Sequence, residues 1–173
     1  MRHVLIADVE DHPGVLNRIA SLFRKRAYNI ESLAVGHSHR PGISRMTIVV
    51  AEDHKEAIQV TKQLDKLIEV VSVTDVTEQR HVSREMALAK IAAPEMKRTE
   101  ILQLANVYRA QVVDVSPGSI ILEITGDEDK IDSFVEIIRP YGILELSRTG
   151  EVAMVRGRAM PTPTMVAEDG PAA

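Results

Sequence analysis

The order in which apolar periodicity changes along this chain constrains its fold more than any single residue does. "HVLIADVE" (3–10) is rich in Val, Ile and Leu and reads as a strand. From Pro13 the period lengthens. Val15, Leu16, Ile19, Leu22 and Phe23 form a helical stripe, and Arg24, Lys25 and Arg26 follow where cations suit a helix C-terminus. "YNIESLAV" (28–35) and "ISRMTIVVAE" (43–52) return to strand period across the loop "GHSHRPG". In the second of these strands Met46, Ile48 and Val50 share one face, and Arg45 and Thr47 share the other. "KEAIQVTKQLDKL" (55–67) is helical, with Ala57, Ile58, Thr61, Leu64 and Leu67 on one side, and "IEVVSVTDV" closes the set as a strand.

The same βαββαβ order then recurs without obvious repetition of letters. "REMALAKIAA" (84–93) is a strand, and Pro94 opens a helix carrying Ile101, Leu102, Leu104, Ala105 and Tyr108. "AQVVDV" and "SIILEIT" are strands joined through "SPG", Asp127 caps a helix with the stripe Ile131, Phe134, Val135 and Ile138, and "GILELS" is the last strand. The chain therefore predicts as α+β, with two tandem ferredoxin-like (split βαβ) domains, each an antiparallel sheet with two helices on one face. The expected boundaries are 1–78 for the first domain, 79–160 for the second and 161–173 for a disordered, Pro-rich tail. The helix-free face of the first sheet also carries Val, Ile and Leu, which predicts an interface and at least a homodimer. Cover from the second half is the alternative.

Composition narrows the function. Formal net charge is −4, aromatic residues make up 3%, and Trp is absent. Nucleic-acid binding, which needs a basic surface and stacking residues, is disfavoured. The absence of Cys removes thiol catalysis, disulfides and Cys-based metal sites. No apolar run is long enough to span a membrane, and the first residues carry acids too early for a secretory signal, so the expectation is a soluble, cytoplasmic chain.

One residue runs against helix propensity. In "VEDHPGVLNRI" (9–19), Gly14 sits in the first turn at a cost of about 1 kcal/mol relative to Ala. A helix start offers free N–H groups and the positive end of a dipole, and a glycine there leaves them open to an incoming carboxylate. Asp11 can accept hydrogen bonds from an ammonium, and the Asn29 amide can donate and accept. Such a set suits a zwitterion, and a free α-amino acid is the obvious candidate. The competing account is that "PGVL" is a tight strand-to-helix turn and Asn29 a strand-entry residue.

"EDHPGVLNRIASLFRKRAYNIESLAVG" followed by "SRMTIVV" resembles the small, regulatory subunit of acetohydroxyacid synthase (acetolactate synthase). The likeness extends through "QLDKLIEVV", "REMALAKI", "DVSPGSIILEITGDEDKIDSFVE" and "SRTGEVAMVRG", from Met1 to about Met160. The resemblance implies an N-terminal effector-binding domain of the ACT type, a second ferredoxin-like domain and no active site of its own. It implies a large catalytic subunit as partner, holding thiamine diphosphate, Mg2+ and FAD, with no cofactor in this chain. That enzyme joins two pyruvates, or pyruvate and 2-oxobutyrate. The small subunit raises its activity and confers feedback inhibition, most often by valine, within branched-chain amino acid biosynthesis. The effector site implied lies across two ACT domains. Gly14, Val15 and Leu16 come from one helix start, and Asn29 and Ile30 come from the partner chain. Val15, Leu16 and Ile30 would line an apolar hollow for the effector side chain. Family members often have Asn where this chain has Asp11, which places a charge beside the bound carboxylate.

Other signals read more plainly. "HSH" (37–39) lacks a third ligand at metal-binding spacing and is a polar loop. "DEDK" (127–130) lacks the Gly and terminal Glu of a calcium loop and is a helix cap. Pro94 is followed by Glu95 rather than Gly, so the second half does not repeat the helix-start device. The rivals in function are an independent enzyme such as a small phosphatase, an RNA-binding module, and an ACT sensor serving another amino-acid pathway.

Overall fold

The computed structural model describes residues 2–51 and 53–157. The expected tail at 161–173 lies outside these. Contacts divide the described residues into two compact units, those up to Val82 together with residues 153–157, and Ser83–Val152.

The first unit runs β1 (Arg2–Glu10), α1 (Val15–Arg26), β2 (Ile30–His37), β3 (Ile43–Ala51), α2 (His54–Leu64) and β4 (Val70–Asp75), with sheet order β2-β3-β1-β4. The order follows from local rules. β1, α1 and β2 form a parallel crossover, which needs a helix to carry the chain back. β2 and β3 then pair antiparallel as sequence neighbours. Alternation along β1 sends Leu5, Ala7 and Val9 to the helix side, where they meet Met46, Ile48 and Val50 of β3. Val15, Ile19 and Phe23 of α1 and Val60 and Leu64 of α2 close that core. Ile58, placed in the α2 stripe by periodicity, is instead exposed, and Val60 is buried.

The opposite face of this sheet is not open. Val4, Ile6, Val49 and Val76 are buried against Ala153, with Val155 packed beside them. The cover is a ninth strand, β9 (Val152–Val155), that sequence reading did not find, and the Ala153 N–H donates to Thr47 Oγ1 at 3.2 Å. The face is therefore covered rather than bare, by residues that the expected boundaries put in the second half, and it gives no ground of its own for or against a homodimer. Four residues are too few to show a period, so only the packing reveals the strand.

The second unit repeats the topology. β5 (His81–Ala92), α3 (Glu95–Tyr108), β6 (Gln111–Ser116), β7 (Ser119–Gly126), α4 (Glu128–Ile138) and β8 (Ile143–Arg148) give the order β6-β7-β5-β8, with β9 pairing to β5. Ala87, Ala89 and Ile91 face Ile101, Ala105, Ile120, Leu122, Ile124, Ile131 and Phe134 in its core. The stripe expected on α4 is buried in full, and Asp127 caps it by accepting from the Lys130 N–H at 3.0 Å. Arg148 locks β8 to β5 and α4. Its Nε and Nη2 donate to the two oxygens of buried Glu85 at 2.7 and 2.6 Å, and Nη1 donates to Asp132 at 2.7 Å. The Glu85 hydrogen bonds hold this guanidinium in its charged form, well above the ordinary arginine range. The fold class is the expected one, a pair of antiparallel ferredoxin-like sheets with helices.

Candidate functional site at the start of the first helix

β1 delivers the chain to the edge of the helix layer, where the turn His12–Pro13–Gly14 reverses it into α1. Gly14 is the residue before the helix and adopts φ +97°, ψ −19°. This backbone is strained for any L side chain, so the turn itself accounts for the glycine, apart from any ligand. Space is a separate matter: a Cβ built on Gly14 meets nothing within 4 Å. No side chain caps α1, in contrast to α2 and α4, which Asp53 and Asp127 cap. The first-turn amides therefore have no capping side chain of their own, and the space beside Gly14 is open.

Charge surrounds this helix start. Asp11 donates its backbone N–H to the Gly42 carbonyl at 2.9 Å, and its carboxylate lies 3.0 Å from Nδ1 of His37. Glu10 holds Nε2 of His12 at 3.0 Å. The Pro13 carbonyl, then the Glu10 hydrogen bond, push the His12 imidazole above its usual range. Arg18 reaches the buried carboxylate of Glu69, whose second oxygen has no hydrogen-bond partner among the described residues. Asp8 holds Arg40 and Arg45 at 2.6 and 3.2 Å, which ties the 38–42 loop to the end of β1.

Of the residues singled out, Asp11, Gly14, Val15 and Leu16 gather here. Val15 is buried in its own protomer's core, so only its backbone faces the site, whereas Leu16 is exposed. Asn29 and Ile30 are elsewhere in the protomer. Ile30 pairs with Val50, which pairs with His3, whereas Asp11 follows the other end of β1. The 12-residue helix α1 carries the chain back by about 18 Å, so β2 begins at the sheet end opposite to Gly14. Within one chain, Asn29 and Asp11 are not close, so one chain does not gather the whole set by itself. What β2 brings to Asp11 is its last residue, His37, part of the "HSH" motif read as a plain loop. Only the strand direction could have flagged it.

The second unit treats the same place differently. Arg98, fourth in α3 as Arg18 is in α1, donates to the carbonyls of Ala93, Ser116 and Pro117, which closes the helix start onto the β6–β7 turn. Among the described residues no group of three or more His, Cys, Asp or Glu can hold a metal ion, and no helix is long and apolar enough to cross a membrane.

Two βαββαβ units, the first with an open, glycine-initiated helix and the second with that position closed, define an ACT-type regulatory chain followed by a further ferredoxin-like domain. Family models agree: residues 5–72 match the acetohydroxyacid synthase small subunit-like ACT domain, and 84–157 match the small subunit of acetolactate synthase. The Bacillus subtilis acetolactate synthase small subunit is 48% identical over 91% of this chain and 92% of its own length. That of Aquifex aeolicus is 47% identical over 90% of this chain and 81% of its own. The crystal structure of the small subunit from Thermotoga maritima superposes with a TM-score of 0.85 at 40% identity, covering 92% of this chain and 99% of that one. The chain belongs to the acetolactate synthase small subunit family, which places it in branched-chain amino acid biosynthesis as a regulatory subunit whose partner is a catalytic large subunit.

Proposed function

We propose that this subunit raises the activity of its large subunit and makes it sensitive to valine, or to another branched-chain amino acid, bound between two ACT domains. The observation that carries the reading is the uncapped helix start at Gly14, with open space beside it. It presents amides for a carboxylate, with Asp11 one turn upstream for an ammonium and Leu16 exposed for an aliphatic side chain. The opposite placement of Asn29 and Ile30 supports a shared site, since a two-fold axis can bring the β2 start of one copy to the α1 start of another. Binding there stabilises one dimer arrangement by its differential affinity, with a typical coupling of about 1–3 kcal/mol. Thiamine diphosphate, Mg2+ and FAD belong to the large subunit in this reading, and the assembly works in the cytoplasm.

Subunit complementation tests it. In the enzyme reconstituted with its large subunit, Asp11→Ala and Asn29→Ala each abolish inhibition by valine, leucine and isoleucine while activation persists. Co-expressing the two variants restores part of the inhibition, because mixed dimers regain one intact site. Full sensitivity in either single variant, or no recovery on co-expression, refutes the shared site.

A further inference from the structure

The helix layer of the first unit holds a groove that the effector reading does not use. It is about 460 Å³ in volume and is lined by Arg18, Lys25 and Arg26 of α1, with no acid among its lining residues. Leu22 and Leu67 give it apolar walls, and the residue that α2 contributes is Gln63. α1 carries Arg18, Arg24, Lys25 and Arg26 and no acid, in a chain whose formal net charge is −4. We propose that this groove docks the large subunit, through a segment that presents Asp or Glu beside an apolar side chain. The proposal depends on the large subunit as partner and not on what binds at Gly14.

Packing within the chain does not account for these cations. Carbonyls of the last turn of α1 already accept from the Ala27 and Tyr28 N–H groups at 3.2 and 3.1 Å, so no side chain is needed there. One cation in that turn suits the helix dipole, but Arg24, Lys25 and Arg26 together repel one another. Lys25 and Arg26 are exposed and form no ion pair among the described residues. Were they there to bind α1 to α2, an acid would stand where Gln63 does. Arg18 differs, because Glu69 holds it and fixes one cation of the three in place. Between Leu67, which lines the groove, and Glu69, which holds Arg18, the Ile68 side chain is 88% exposed. An aliphatic group set in water beside unpaired cations has the make-up of an association surface, an apolar anchor within a charged rim. The chemistry of the occupant follows: carboxylates for Lys25 and Arg26, and an apolar side chain against Leu22, Leu67 and Ile68. α1 has Gly14 at its start and this groove along its side, so one helix touches both the proposed effector site and the catalytic partner.

Carbodiimide cross-linking of the assembled enzyme tests the occupant, because it joins a Lys amine to a carboxylate only where the two touch. Lys25 should link to an Asp or Glu of the large subunit. Linkage of Lys25 only to an acid of this chain, in the same or a second copy, or no linkage at Lys25, overturns the proposal. Binding of the full chain to the large subunit gives a second readout. Lys25→Glu with Arg26→Glu should weaken the complex about tenfold and flatten its dependence on KCl, and Lys25→Gln with Arg26→Gln should weaken it less. Lys55→Glu with Lys62→Glu makes the same change of charge on α2 outside the groove and should leave binding within about twofold. An equal loss in the α2 pair, or no loss in the α1 pair, overturns the proposal. Calorimetry with valine on the free chains separates the two readings. The α1 pair should keep whatever valine binding the unaltered chain has, and no valine binding in the unaltered chain refutes the effector reading while leaving the docking result to stand by itself.

Discussion

Gly14 sets the turn into α1, the proposed effector site gives it a second duty, and a pair of substitutions divides the two. At φ +97° any L residue is strained, by roughly 1–2 kcal/mol for Ala. Asn tolerates left-handed backbone better, because its short amide bonds locally. Ala adds no steric term, since a Cβ there meets nothing within 4 Å. Each variant recovers about 0.4–1 kcal/mol by restricting the unfolded chain. Gly14→Ala should therefore lose about 1 kcal/mol net and Gly14→Asn less, which at this chain length is a drop in Tm of about 2–4 °C for Ala and smaller for Asn. The amides of the first turn respond differently. Asn carries the larger side chain into the approach to Val15 and Leu16, so Gly14→Asn should lose more effector inhibition than Gly14→Ala despite being the more stable of the two. Thermal unfolding and inhibition curves of the reconstituted enzyme give the two readouts. If inhibition follows stability, with Ala the more impaired in both, the glycine serves only the turn and the argument for an open anion site fails.

Removing Arg148 as Met strands the Glu85 carboxylate, which is 7% exposed. With the guanidinium one-third exposed, the cost should be about 2–3 kcal/mol in urea unfolding of the second unit. The double variant Arg148→Met with Glu85→Met should recover most of it, and a cycle without coupling would contradict the burial argument. Asp127→Ala should lose about 1 kcal/mol through the α4 cap, and Asp53→Ala a similar amount through α2. Ala153→Asp should cost more than either cap, because it sets a charge among Val4, Ile6, Val49 and Val76, and unchanged denaturation would refute the cover by β9. His12 should titrate above the ordinary imidazole range by NMR. Its folded-state pKa is raised, so its contribution to stability is complete below the unfolded value and is lost as pH rises through the folded one. Glu10→Gln should lower that midpoint only in part, since the Pro13 carbonyl remains.

Local order was open to reading in the letters alone. The β and α periods, the Asp127 cap, the buried stripe of α4 and the glycine at the start of α1 each depend on neighbours a few residues away, where covalent geometry and one-sided burial set the pattern. Tertiary structure decided the rest. It returned Val152–Val155 to the bare face of the first sheet, put Asn29 at the far end from Asp11, and set His37 beside that carboxylate. Each of these depends on which distant surfaces meet once the helix has carried the chain back across the sheet, and a spacing in sequence records the length of that return but not its direction.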